Sequence, residues 1–168
     1  MHNSSDLIIR PTHPDDAQAF YKIITHPSVA RTLLQLPSIE LVETEQFLQK
    51  PIPGLHRLVA EKNGYVLGVA GLSIPQNPRR VHSGDLDIIV HPDHWGTGIG
   101  TALMTAILDL ADNWFNLLRV ELEVLANNPT AIHLYEKLVF ELEGTKQMAV
   151  FGDGRWADAH FMARLNSG

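Results

Sequence analysis

The sequence predicts an α/β (α+β) protein, with one mixed, largely antiparallel twisted sheet of about seven strands flanked by about four helices. Three observations carry that expectation. Short apolar runs rich in Val, Ile and Leu recur along the chain, at 7–10, 55–62, 65–74, 83–90, 119–125 and within 141–165. Segments with helical spacing fall between these runs rather than in a separate block, and Asn63-Gly64 joins two of the runs with a strong short-range hairpin signal. At 168 residues and 45% hydrophobic content, the chain suits a single domain over 1–168 with its own core.

Taken in order, the strand at 7–10 ends at Pro11, and Thr12 or His13 caps a helix with Pro14 in its first turn. Ala17, Phe20, Tyr21 and Ile24 form its buried side, and Pro27 closes it. Ser38 opens a second helix to about Gln49, with Leu41, Phe47 and Leu48 inward. After the Asn63-Gly64 hairpin and the strand Ser83 to Val90, a helix from about Gly98 to Trp114 shows Ile99, Leu103, Ile107, Leu110 and Trp114 on one stripe. A strand from Arg119 to Leu125, a helix from Pro129 to Leu138, and a hairpin around Gly152-Asp153-Gly154 complete the chain.

The stretch that carries chemistry runs from Asp87 to Leu103. A buried strand enters a loop with glycine at 96, 98 and 100, and the loop opens a helix. The first N–H groups of such a helix lack partners and lie at its positive dipole end, so they suit a phosphate or diphosphate. Glycine there admits positive φ and close approach of an anion to the main chain. A Rossmann fingerprint requires a third glycine where Thr101 stands, and a P-loop requires a Lys that is missing.

Two motifs together resemble the GCN5-related N-acetyltransferase (GNAT) superfamily. They are Val90-x-Pro92 with Gly96-Thr97-Gly98-Ile99-Gly100, and Asn128-x-x-Ala131-x-x-Leu134-Tyr135-Glu136-Lys137-x-x-Phe140 downstream. Within that superfamily the sequence is similar to bacterial L-amino acid N-acyltransferases, through Pro78-Arg79-Arg80, Asp112-Asn113-Trp114 and the tail 158–164. The resemblance implies the GNAT fold, acetyl-CoA as cosubstrate, a small-molecule amine as acceptor, and a homodimer. It also implies that the main chain of Ile88, Ile89 and Val90 pairs with the pantetheine arm, while amides of Gly96, Thr97, Gly98, Ile99, Gly100 and Thr101 hold the diphosphate. The family pattern begins with Gln or Arg where this chain has Trp95, so one cofactor contact changes its side chain.

By the same resemblance Tyr135 is the general acid, since a phenol can donate to a departing thiolate. Glu123 is the first candidate for a base acting through water, and Asn128 both caps a helix and reaches the coenzyme arm. Glu121, Asp85 and Asp87 compete with Glu123, because each alternates with apolar neighbours along its strand. His91 and His94 flank Pro92 with no third ligand nearby, so no metal is expected. Arg79-Arg80 is a solvated loop or a contact to a coenzyme phosphate or substrate carboxylate.

Composition narrows the partners. A formal charge of −6 disfavours a broad nucleic acid surface, and the absence of cysteine excludes disulfides and a Cys acyl-enzyme. The first six residues show no leader pattern and no run approaches about 18 apolar residues, so a cytoplasmic location without membrane contact is expected. Amine chemistry narrows the acceptor: an α-amine with pKa near 8 is about a tenth neutral at pH 7, whereas a lysine-type amine near 10.4 costs over ~3 kcal/mol more to deprotonate. An amino acid α-amine is therefore the preferred acceptor, with polyamine or protein N-terminal acetylation as the alternative, and a non-catalytic acyl-CoA sensor as the rival from another class.

Overall fold

The computed structural model describes residues 6–167. Residues 1–5, where the sequence shows no leader pattern, and residue 168 lie outside the described residues. The strands are β1 (Ile8–Pro11), β2 (Leu55–Lys62), β3 (Tyr65–Ser73), β4 (Ser83–Val90), β5 (Arg119–Leu125), β6 (Glu141–Gly152) and β7 (Arg155–Leu165). They form one seven-stranded sheet in the order β1-β2-β3-β4-β5-β7-β6. All neighbours are antiparallel except β4 and β5, which run parallel. The mixed, largely antiparallel sheet is the one the sequence predicts.

That parallel pair is the feature on which the site depends. β4 and β5 pair only at Ser83–Arg119, Gly84–Val120 and Asp85–Glu121. On its other side β4 stays paired with β3 as far as Val90, and β5 stays paired with β7 as far as Leu125. Each strand follows its own partner and the two part, which leaves the β5-facing edge of β4 open from Leu86 onward.

Helices cover both faces. α4 (Ile99–Asp109) and α5 (Pro129–Lys137) pack on one face over a core that includes Leu72, Leu103, Met104, Ile107, Leu122 and Phe140. α1 (Ala17–Ile24), α2 (Pro27–Ala30) and α3 (Leu41–Gln49) cover the other, over Val59, Val69 and Ile89. Each fully buried Leu or Ile here contributes about 1.5–3 kcal/mol.

Several local expectations change. His13 is the residue that caps the first turn, accepting from the Asp15 N–H, and Pro14–Asp16 forms a 3-10 turn before α1. α1 ends at Ile24, before Pro27 as expected, but Pro27, with His26 as cap, also opens the one-turn α2, a fifth helix. The second long helix begins at Leu41 rather than Ser38, because the Glu43 carboxylate accepts from the Glu40 N–H at 2.9 Å. Trp114 leaves the buried stripe: Leu110–Trp114 forms a π turn, whose extra residue shifts the period and leaves Trp114 77% exposed. Both hairpins hold, with Asn63-Gly64 and Asp153-Gly154 all at positive φ as a tight mirror-type turn requires.

Candidate active site

The loop after β4 is shaped by Gly96 and Gly98, with φ of 72° and 90°, and Gly98 is the N-cap of α4. A Cβ built on either would meet nothing within 4 Å, so these glycines face open space rather than another element. Among the described residues, no acceptor in the chain bonds the N–H groups of Gly96, Thr97, Gly98, Ile99, Gly100 or Thr101. The helix dipole and these unpaired donors make a cradle suited to an anion, with open space in front of it. At Gly100 a Cβ would lie 3.2 Å from Leu134 Cδ2, so that glycine also lets α5 approach α4.

The side chains of the predicted cradle residues do other work. Ile99 is buried in the core, Thr101 is exposed, and Thr97 Oγ1 donates to the His94 carbonyl. Trp95 departs from the family pattern in a defined way: its indole N–H donates to the Val90 carbonyl at 2.8 Å and ties the loop to the end of β4. Ile88 and Val90 turn toward the α4 core and Ile89 toward the α1 core, and their main chain borders the open edge of β4.

Tyr135 projects from α5 into the α4 face and is only 5% exposed, its ring 5.9 Å from that of Phe140. Its hydroxyl has no hydrogen-bond partner among the described residues, yet the oxygen is not sealed from solvent. Burial, and secondarily the charge of Asp87, push its pKa well above that of an ordinary phenol. Tyr135 therefore holds its proton at neutral pH. Asn128 caps α5, its Oδ1 accepting from the Ala131 N–H at 3.3 Å.

On the opposite face, Asp85, Glu121, Glu123 and Glu143 line a recess of about 300 Å³ with Arg119, Leu122, Phe161 and Met162. Glu121 is held by Arg119 and by Arg80 at 3.5 Å, and Glu143 forms a bidentate pair with Arg119. Burial, then the Glu121 charge, raises the Asp85 carboxyl. Glu123 is exposed on the same lining. Asp87 lies one step closer to the open part of the sheet. Surrounding protein desolvates and raises its carboxyl although the side chain keeps accessible surface, and the Arg57 charge offsets part of that rise.

Arg80 stands before the start of β4, with all eight residues of that strand between it and the glycine loop, and it pairs instead with Glu121 at 3.5 Å. His91 and His94 stack edge to face at 5.8 Å, and no group of three metal-binding side chains occurs among the described residues. Sequence reasoning missed Arg57, which reaches the Asp87 region only through strand register.

Unpaired amides at a helix start, beside parted parallel strands with a protonated phenol on one side and carboxylates on the other, form the arrangement that the resemblance to the GNAT superfamily implies. Comparison with known proteins agrees. Residues 16–140 match the acetyltransferase (GNAT) family. The chain is 34% identical to an L-amino acid N-acetyltransferase of Escherichia coli, over 96% of this chain and 99% of that protein. It is 28% identical to a spermidine N(1)-acetyltransferase of Escherichia coli, over 95% of this chain and 86% of that one. Among solved structures, a spermidine N-acetyltransferase from Vibrio cholerae in complex with CoA and spermine superposes with a TM-score of 0.85, at 28% identity over 96% of each chain.

The chain belongs to the acetyltransferase (GNAT) family and is an acetyl-CoA-dependent N-acetyltransferase. Two of the three segments behind the amino acid acyltransferase resemblance meet in space, for Asp112 pairs bidentately with Arg164 at 2.7 and 2.8 Å.

Proposed function

We propose that this enzyme moves the acetyl group of acetyl-CoA directly to the α-amine of an L-amino acid. The observation that carries the reading is the 34% identity, end to end, with a protein of that activity. The lower cost of deprotonating an α-amine agrees with it.

In the chemistry we propose, the amine nitrogen attacks the thioester carbonyl carbon, a C–N bond forms and the C–S bond breaks. The unpaired amides of the cradle fix the diphosphate, and the open edge of β4 aligns the pantetheine arm toward the gap beside β5. A base on the acceptor face removes the amine proton. Asp87 is the better placed candidate, with its raised carboxyl and its electrostatic reach to Tyr135, and Glu123 on the recess lining is the second. Tyr135 donates to the leaving sulfur. As Asp87 gains a proton its charge vanishes, so the part of the Tyr135 shift caused by that charge vanishes too, and the phenol becomes a better donor when the thiolate departs. Asn128 fixes the start of α5, and with it Tyr135.

A polyamine acceptor is the second reading, favoured by the four carboxylates of the recess and by the spermidine acetyltransferase relatives. Thiol release from acetyl-CoA with each of the twenty L-amino acids and with spermidine and spermine separates the two. Turnover confined to polyamines would reject the amino acid reading. The setting we propose is a cytoplasmic homodimer; exposed Leu142, Met148, Phe151 and Trp156 on the β6–β7 hairpin support self-association, which light scattering would measure.

A further inference from the structure

Strand register places Arg57 opposite Gly71, and Gly71 opposite Asp87, so the three share one row across β2, β3 and β4. The row faces the side of the sheet covered by α1–α3, next to the row Val59, Val69 and Ile89 that floors that core. Neighbouring strands lie about 4.8 Å apart, which separates the backbones of Arg57 and Asp87 by about 10 Å. A Cβ at Gly71 would overlap Asp87 Oδ1, so the Asp87 carboxylate extends over the glycine toward Arg57. Any larger residue at 71 would occupy that place.

Arg57 is aimed from its far side. One nitrogen donates to the Phe47 carbonyl at 3.2 Å, and the guanidinium stacks over the Phe47 ring at 4.4 Å. Those contacts leave most of its donors free. The other partly buried arginines, Arg10, Arg119 and Arg164, each hold a carboxylate at hydrogen-bond distance. Arg57 has none within 4.0 Å among the described residues, although Asp87 lies close enough for their charges to interact. Burial disfavours the charged form of both groups. Two opposite charges thus face one another over a bare glycine without closing.

We propose that this gap is the recognition site for the acceptor's backbone: Arg57 binds the α-carboxylate of an amino acid, whose amine points to Asp87 and the parted strands. A zwitterion places its nitrogen and carboxyl carbon about 2.5 Å apart, with opposite charges in the order the gap presents. It supplies Arg57 with the planar, two-oxygen partner a guanidinium fork prefers. A polyamine would set a second positive charge against Arg57. The inference deepens the amino acid reading and rests on it.

The test uses the full chain, saturating acetyl-CoA, and thiol release with the best of the twenty L-amino acids and with its carboxamide, which retains the α-amine but lacks the carboxylate charge. Wild type is expected to favour the acid by about 10- to 100-fold in kcat/KM, the worth of a charge-assisted contact. At a pH high enough to keep Asp87 ionised without the Arg57 charge that now lowers its pKa, Arg57→Met lowers kcat/KM for the acid by that factor more than for the carboxamide and leaves the KM for acetyl-CoA within about threefold. Arg57→Lys, which keeps the charge without the fork, falls between, and it serves with the wild-type ratio if Arg57→Met does not fold. Equal use of acid and carboxamide by wild type, or equal losses on both in Arg57→Met, overturns the Arg57 assignment alone. Turnover of spermidine with no L-amino acid overturns the acceptor reading and this assignment together.

Discussion

Replacing Tyr135 by Phe removes one oxygen from the centre of the site. The hydroxyl has no partner among the described residues, so its loss strands no donor or acceptor, and the ring keeps its place beside Phe140. Stability should therefore change by less than about 0.5 kcal/mol, and coenzyme A affinity should be unaffected because the cradle lies on α4. Turnover should fall, because the departing thiolate loses its proton donor. General acid catalysis is worth about 10²- to 10⁴-fold, which corresponds to roughly 3–5 kcal/mol in the barrier. Thiol release under saturating acetyl-CoA reads kcat, and thermal unfolding with calorimetric titration of coenzyme A supplies the two controls. A fall in kcat of less than threefold, with the fold intact, would show that the phenol is not the acid.

Other changes should follow the same logic. If Asp87 is the base it must be ionised to act, so kcat/KM should fall as pH drops through its raised pKa, above the ordinary aspartate value of about 3.9. Asp87→Asn should abolish that limb and lower kcat, while Glu123→Gln should do less. Val139 sits at φ 68° and is 69% exposed at the end of α5, so Val139→Gly should relieve about 1–2 kcal/mol of strain, partly offset by greater unfolded-state freedom. Thermal unfolding would register a rise of a few degrees. Asp16 is 7% exposed and accepts two bonds from Arg10 and one from the His13 N–H. These contacts outweigh desolvation and hold its carboxyl below the usual value. In that range the unfolded chain binds more protons, so this stabilisation is full above the unfolded pKa and is lost as pH falls through the folded one. Asp16→Asn should cost about 2–3 kcal/mol at pH 7 in denaturant unfolding.

What the sequence revealed, and what it hid, follows from how local each feature is. β4 and β5 run over the residues their alternation marks, because a strand's two faces are written in adjacent residues. The cradle was visible for a similar reason: its glycines, its proline and the helix that follows are contiguous. The capping of α3 by Glu40 and Glu43 rather than Ser38 involves competing caps a few residues apart, which propensity does not rank. The π turn that exposes Trp114 breaks a period that otherwise continues. Arg57, Gly71 and Asp87 lie far apart in the chain and meet only through the register of three strands, so no spacing in the sequence announces them. Tyr135 could be named from its motif, but its unpartnered hydroxyl and its link to Asp87 across the parted strands needed coordinates.

Calorimetric titration of the wild-type chain with coenzyme A and, separately, with pantetheine bears most directly on the unpaired amides at the start of α4. Coenzyme A should bind with measurable heat and pantetheine, which carries no diphosphate, at least about tenfold more weakly, while Gly98→Ala should erase most of the difference. Equal affinities for the two ligands, or no heat with coenzyme A, would mean that the loop does not hold a diphosphate.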